Sequence, residues 1–303
     1  MDIPLLMEKR NKGATWQSLA RHFRGYTPNA LRKAYYRHIN KPNVKILLID
    51  IETKPIEAHV WDIWQQNVGL NQIVADSSVM SFSAKWLEKD EIIYHDNRKS
   101  KDFEDDKKLC EIVWHLLDEA DIVVGHYSKN FDIPKLFGRF LFHDMNKPSD
   151  FRQVDTKEIA SKYFKLTSNK LEYLANFLKV KFKKLTDRKF AGHALWSECM
   201  KGNAAAWNEM QAYNIMDVRV LQEVYHKLKK WDKSINYDVY HDGLENICPC
   251  CGGKSFVTHK VKPFIFTNTG KFDRLICTNS KCGRELKGKV NLLSLKKRKS
   301  LKG

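Results

Sequence analysis

Apolar and polar positions repeat with two different periods along the chain, and the changes of period divide it into three segments. Through residue 40, LARHF and LRKAYYRH place apolar positions three and four residues apart, which predicts two short helices. Gly25 separates them, and Thr27-Pro28 supplies a cap and a first residue for the second helix. Trp16, Leu19, Phe23, Leu31 and Tyr35 fall where a small core is needed. This helix-turn-helix pattern puts Asn29, Arg32, Lys33, Tyr36 and Arg37 on the second helix, where they suit phosphates and base edges. A solvated basic hairpin is the plainer reading.

Lys41-Pro42-Asn43 ends the helical period, and Val44 to Ile51 is the β-branched apolar run of a buried central strand. Strand-like runs follow at 78–87 and 91–95, then a charged helix at 102–119 and a short strand from Asp121 to Gly125. Helical periods dominate afterwards, at 131–144, 156–163, 169–179 and 204–230. Strands that run consecutively and then alternate with helices predict an α/β fold, a mixed sheet flanked by helices. Residues 58–77 show no period and read as an irregular insertion. Past Trp231 the helical period stops, and a Cys-, Gly- and Lys-rich segment runs into the basic tail LKKRKSLKG, expected to fray. The expected domains are therefore 1–41, 42–232 and 233–303.

Charge sharpens this picture. Lys and Arg number 53 against 36 Asp and Glu in 303 residues, and a net charge of +17 predicts a polyanionic partner. Nucleic acid is favoured over a membrane surface because no basic stretch carries a continuous apolar face. The start, MDIPLLMEKR, lacks the basic and long apolar regions of a signal peptide, and the run from Ile46 to Ile51 is too short to span a bilayer. A soluble, intracellular, cytoplasmic protein with no membrane partner is the expectation.

Strand residues two apart share a face, so Asp50 and Glu52 project two carboxylates side by side. Like charges that close call for a cation, and a hard Mg²⁺ or Mn²⁺ prefers carboxylate oxygens while leaving positions for water and phosphate. In GHYSKNFDIP a short strand delivers Asp132 to the start of a helix, where a bland helix-dipole role is the alternative. Tyr213 and Asp217, four apart in a long helix, lie on one face.

In order, context and spacing these three patterns resemble the exonuclease motifs of the DnaQ-like superfamily, in its tyrosine-containing DEDDy branch, which has a ribonuclease H-like fold. The resemblance covers residues 44–230 and takes in softer features at Val154-Asp155-Thr156 and in the helix from Leu171 to Leu178. It implies a metal-dependent 3'→5' exonuclease that hydrolyses phosphodiester bonds of DNA or RNA with two Mg²⁺ or Mn²⁺ ions. By that resemblance Asp50 bridges both ions, Glu52 and Asp217 complete the tighter site, and Asp132 holds the second ion. Tyr213 then orients the attacking water, since a phenol with an ordinary pKa near ~10 is a poor general base at neutral pH. One departure is Tyr127, where relatives often carry asparagine; Asn130 matches. All four carboxylates are intact, which argues against a dead nuclease. A structure-specific endonuclease on the same fold and a DNA-binding regulator with a nuclease-like scaffold are the alternatives. His95, His115, His126 and His193 are isolated, and Trp61, Trp64 and Trp86 suit packing at least as well as base stacking.

Five of the seven cysteines lie between Cys248 and Cys282. Cys248-x-x-Cys251-Gly252 and Cys277-x4-Cys282-Gly283 form two knuckles that suit a tetrahedral, structural Zn²⁺ in a zinc ribbon. In a Cys-x-x-Cys turn Cys250 points away, and His259 sits in an apparent strand far from both knuckles. Lys254, Lys260, Lys262, Lys271, Arg274, Lys281 and Arg284 give this segment a basic surface for nucleic acid or a protein partner; a folding staple is the plainer role.

Overall fold

The computed structural model describes every residue except 1, 29, 32–34, 36–43, 65–66, 101, 103–104, 184–188, 242–244 and 302–303. Contacts divide the chain into two units, one of residues 44–235 with 278–284 and one of residues 1–43, 236–277 and 285–303.

In the second of these, α1 (Ile3–Asn11) and α2 (Trp16–His22) are capped by Asp2 and Thr15, whose side chains accept from the Leu5 and Ser18 N–H groups. The sequence reading missed α1. Its Leu6 joins Leu19, Phe23 and Leu31 in a small core, with Trp16 and Tyr35 packed at the edge. Thr27 Oγ1 accepts from the Ala30 N–H, the expected start of the next helix. The expected nucleic-acid contacts Asn29, Arg32, Lys33 and Arg37, with Tyr36, lie outside the described residues.

The larger unit is a five-stranded mixed sheet flanked by helices. Its strands are β1 (Ile46–Thr53), β4 (Val79–Trp86), β5 (Ile93–Asp96), β6 (Ile122–Gly125) and β7 (Arg152–Asp155), in the order β5-β4-β1-β6-β7. β1 runs antiparallel to β4 and parallel to β6. The helices are α3 (Lys107–Glu119), α4 (Asp132–Phe142), α5 (Thr156–Tyr163), α6 (Leu171–Phe177), α7 (Ala194–Met200) and α8 (Ala204–Leu228). Odd positions of β1, Leu47, Ile49 and Ile51, bury with Phe82 and Ala84 of β4 against Leu109, Val113 and Leu117 of α3 and Ile133, Leu136 and Phe140 of α4. Period two then fixes Asp50 and Glu52 on the opposite face, beside Ser83 and Ser81. β7 and α7 were not predicted: β7, RQVD, holds a single apolar residue and shows no alternation, and the helical period of α7 is confined to its seven residues, whereas that around α6 runs over 169–179.

Residues 58–77 are more ordered than expected. β2 (Glu57–Ala58) and β3 (Ile73–Ala75) pair as an antiparallel hairpin. The arm they carry exposes Trp61 (99%) and Trp64 (78%), along with Ile63 and Leu70, so neither tryptophan is a core residue. Trp86 packs against the main core.

Buried Asp106, just before α3, ties that helix to α4. It accepts from the Val79 N–H at 2.7 Å, from Arg139 at 2.8 and 2.9 Å, and bonds His143 Nε2 at 2.6 Å. Burial by itself raises its carboxyl, but Arg139, His143 and the Val79 N–H more than offset this and hold it below the ordinary range. This contribution is complete above the unfolded pKa of about 3.9 and is lost as pH falls through the lower folded value. Arg139→Ala leaves the carboxylate buried without its main counter-charge, and urea unfolding is expected to show a loss of about 3–5 kcal/mol.

In the smaller unit β10 (Gly270–Cys277) pairs antiparallel with β8 (Phe256–Thr258), β9 (Phe264–Thr267) and β11 (Glu285–Lys287). The expected frayed tail forms a short helix, α9 (Leu295–Ser300), where Ser294 Oγ caps the Lys297 N–H. Among the described residues no helix is long and apolar enough to cross a membrane.

Candidate functional site

The carboxyl ends of the parallel strands build the site, as open sheets of this kind do. β1 pairs with β6 only from Ile46 to Leu48, so farther along it has no β6 residue beside it. The Ile51 N–H donates instead to Asp132 Oδ1 at 3.1 Å, which locks the first residue of α4 onto the β1 end. Tyr213 and Asp217 face the same space from α8. Asp50, Glu52, Asp132, Tyr213 and Asp217 thus line one cavity of about 330 Å³, together with Tyr127, Phe131, Lys157 and Lys170. A larger cavity of about 630 Å³ at the β5 edge lacks such convergence, and its Arg98 is committed to Asp96, Asn208 and Gln211. Chemistry rather than size singles out the smaller one.

Several positioning residues escaped the sequence reading. Fully buried Asn214, beside Tyr213, donates from Nδ2 to Asp50 Oδ2 at 2.6 Å and to the Asp50 carbonyl at 3.2 Å. α8 therefore carries both its own acidic residue and the group that orients the acid on β1. Trp196 of the unpredicted α7 meets the Tyr213 ring edge-on, with centroids 6.1 Å apart. Asp155, at the end of β7, caps α5 through the Lys157 and Glu158 N–H groups and also accepts from the Tyr127 N–H at 2.9 Å. That bond holds the turn between β6 and α4. Gly125 begins the turn, and a Cβ there would come within 2.3 Å of the Ser128 side chain. His126 lines the cavity but is tethered through Nδ1 to Thr156 Oγ1 at 2.9 Å.

Four carboxylates lining one cavity are a hard-oxygen donor set whose chemistry fits divalent cations such as Mg²⁺ or Mn²⁺, although no three of them bring their oxygens within 4.8 Å of one another. Asp132 and Asp217 are each only 4% exposed. Burial, with Asp155 nearby, pushes the Asp132 carboxyl up to about 7 against the pull of the Ile51 N–H, a proton affinity that a bound cation would oppose. Removing Asn214 takes away one of the bonds that orient Asp50, so if Asp50 holds a metal, Asn214→Ala is expected to raise the Mn²⁺ concentration that turnover needs about 10- to 100-fold. A metal titration of turnover checks this.

A family model of the RNase_H superfamily matches residues 47–229, the whole span that carries these side chains. The chain belongs to the RNase_H superfamily. RNase H-like nucleases generally use divalent metals, and membership supports a nuclease with a nucleic-acid substrate. No curated protein matches the chain. Among solved structures it is similar to the family B DNA polymerase from the hyperthermophilic archaeon Pyrobaculum calidifontis, with 15% identity and a TM-score of 0.47. The match covers 68% of this chain and 28% of that one, so it spans under a third of the polymerase.

Elsewhere, two tight donor sets occur among the described residues, each with its ligand atoms within 4.8 Å of one another. One is Cys248, Cys251, Cys277 and Cys282, the four cysteines expected from spacing. Both knuckles close on a left-handed glycine: the Gly252 N–H donates to the Cys248 carbonyl at φ 69°, and the Gly283 N–H to the Asn279 carbonyl at φ 61°. Cys251 and Cys277 Sγ stand 3.6 Å apart, close to the ~3.8 Å that tetrahedral Zn–S bonds of about 2.3 Å require. The cluster is compatible with a zinc ribbon. Cys250 lies outside the set, and His259 follows β8 and accepts from the Val261 and Lys262 N–H groups through Nδ1. The other set, Asp106, Cys110 and His143, suits a metal poorly, because Arg139 already occupies Asp106 and burial raises the Cys110 thiol, keeping it protonated.

Proposed function

We propose that this chain is a 3'→5' exonuclease of the DnaQ-like DEDDy branch, with Asp50, Glu52, Asp132 and Asp217 as ligands for two Mg²⁺ or Mn²⁺ ions and Tyr213 orienting the attacking water. The observation that carries this reading is the convergence of these five side chains, from β1, α4 and α8, on a single cavity. When bound, paired divalent ions acidify the attacking water and stabilise charge on the attacking and leaving oxygens.

The protein's own part is positioning. Asn214 fixes the Asp50 carboxylate, the Ile51 N–H fixes Asp132, and Trp196 packs edge-on against the Tyr213 ring, whose phenol would orient the attacking water. Lys157 and Lys170 line the same cavity and would meet substrate phosphates, offsetting the repulsion between carboxylates and a polyanion. In the same reading the domain limits fall at 41 and 232, and the N-terminal module would contact nucleic acid through Asn29, Arg32, Lys33 and Arg37. One structural Zn²⁺ on the four cysteines would hold the C-terminal segment.

The test is digestion of end-labelled single- and double-stranded DNA and RNA with Mg²⁺ or Mn²⁺. A ladder that shortens from the 3' end is expected. Cleavage of circular substrate would favour the endonuclease reading, and no metal-dependent product from any substrate would overturn the nuclease assignment.

A further inference from the structure

Among the described residues, three non-glycine positions take a positive φ: Tyr127 at 68°, Asp144 at 55° and Lys179 at 50°. Asp144 and Lys179 each follow the end of a helix, α4 and α6, where a left-handed residue commonly closes the last turn. Tyr127 has no such reason, since it lies in the turn between β6 and α4. A bulky aromatic is poorly suited to this conformation, whereas asparagine adopts it readily. The backbone is nevertheless held there, because the Tyr127 N–H is bound by buried Asp155 and its carbonyl accepts from the Asn130 and Phe131 N–H groups.

Packing does not explain the choice of tyrosine. The residue is 45% exposed, and it lines the carboxylate cavity. Lys157 Nζ sits 3.7 Å from the ring centroid and covers one face of the ring. An open aromatic face, an ammonium and four carboxylates therefore share a single cavity. Such strain persists where it serves a site, and aromatic faces beside cations are how proteins hold unpaired bases next to their phosphates.

We propose that Tyr127 forms a nucleobase-binding site: its open face stacks on a base at or near the 3' end of a single strand, while Lys157 supports the other face and meets the adjoining phosphate. The proposal rests on the nuclease reading and narrows it, because a base must leave its duplex before a ring can lie against it. Single strands and frayed ends are then preferred over closed duplex ends.

The experiment uses the full chain and oligothymidylates that lack the base at one of the last three positions, compared with the intact strand. In the unmodified protein, loss of the base at one of these positions should lower kcat/KM roughly 5- to 100-fold, mainly through KM. Tyr127→Ala should treat that strand and the intact one alike, and Tyr127→Trp should restore the difference. Tyr127→Asn should also lose it while raising the melting temperature, which separates base binding from a structural role. Equal penalties in the unmodified protein and Tyr127→Ala, or no penalty at any position, would overturn the proposal. If no variant cleaves, the nuclease reading fails by itself; fluorescence anisotropy of the same strands, 5'-labelled and with Ca²⁺, then decides the stacking site by the same comparison of dissociation constants.

Discussion

If the proposed metal ligands are right, Asp50→Asn and Asp217→Asn are each expected to lower metal-dependent turnover of a 3'-labelled single strand by at least about 10³-fold, the loss that follows when about 4 kcal/mol of transition-state charge stabilisation is removed. The fold should survive both changes. Asparagine keeps the shape of aspartate, and Asp50→Asn retains an oxygen for the Asn214 amide, 2.6 Å away in the native protein. Asp217 is buried in a cavity it shares with three other carboxylates, so neutralising it relieves like-charge repulsion. The melting temperature without metal is therefore expected to hold or rise while activity falls, a pattern that a misfolded variant cannot produce. Turnover within tenfold of the native protein in both variants would exclude these residues as metal ligands.

Chelation, or Cys277→Ser, is expected to release about one zinc per chain and to unfold the strands β8 to β11, read as lost strand signal in circular dichroism. The effect is large because the segment has little core of its own. Three of its four strands have only three or four residues and most positions are partly exposed, and small zinc modules draw apparent folding energy on the order of 10–16 kcal/mol from the metal. Cys277 is a decisive position, since it ends β10 and its sulfur lies 3.6 Å from that of Cys251. Carefully purified chain that holds no zinc yet keeps these strands would defeat the assignment. Cys250→Ser, outside the set, should retain the metal.

The residues that proved legible in the sequence are those whose placement follows from a local period. Asp50 and Glu52 share a face by strand alternation, Tyr213 and Asp217 by the helical four-residue step, and the four cysteines by the closeness within each knuckle. Asp132 was legible as the product of a strand-to-helix junction. Asn214 was not, because its role depends on meeting a carboxylate 164 positions away in the chain. Asp155 was visible only as a soft motif, and nothing local announces that it caps α5 and pins Tyr127 at the same time. Some short elements hid for a different reason: α7, which packs Trp196 on Tyr213, has seven residues with no period carried beyond them, and the β2–β3 hairpin offers two and three.

The load carried by α8 bears on which changes in chain length the protein can accept. Tyr213, Asn214 and Asp217 ride on one helix, and two to six residues before Tyr213 Arg98 bonds the Trp207 carbonyl, Asn208 and Gln211. One residue added between Gln211 and Tyr213 would turn everything after it by about 100°, swinging the phenol, the amide and the acid away together. The β2–β3 arm, with Trp61, Ile63 and Trp64 exposed, has no such phase to keep. Length variation in this protein is thus expected to collect in the arm and to be absent from the middle of α8.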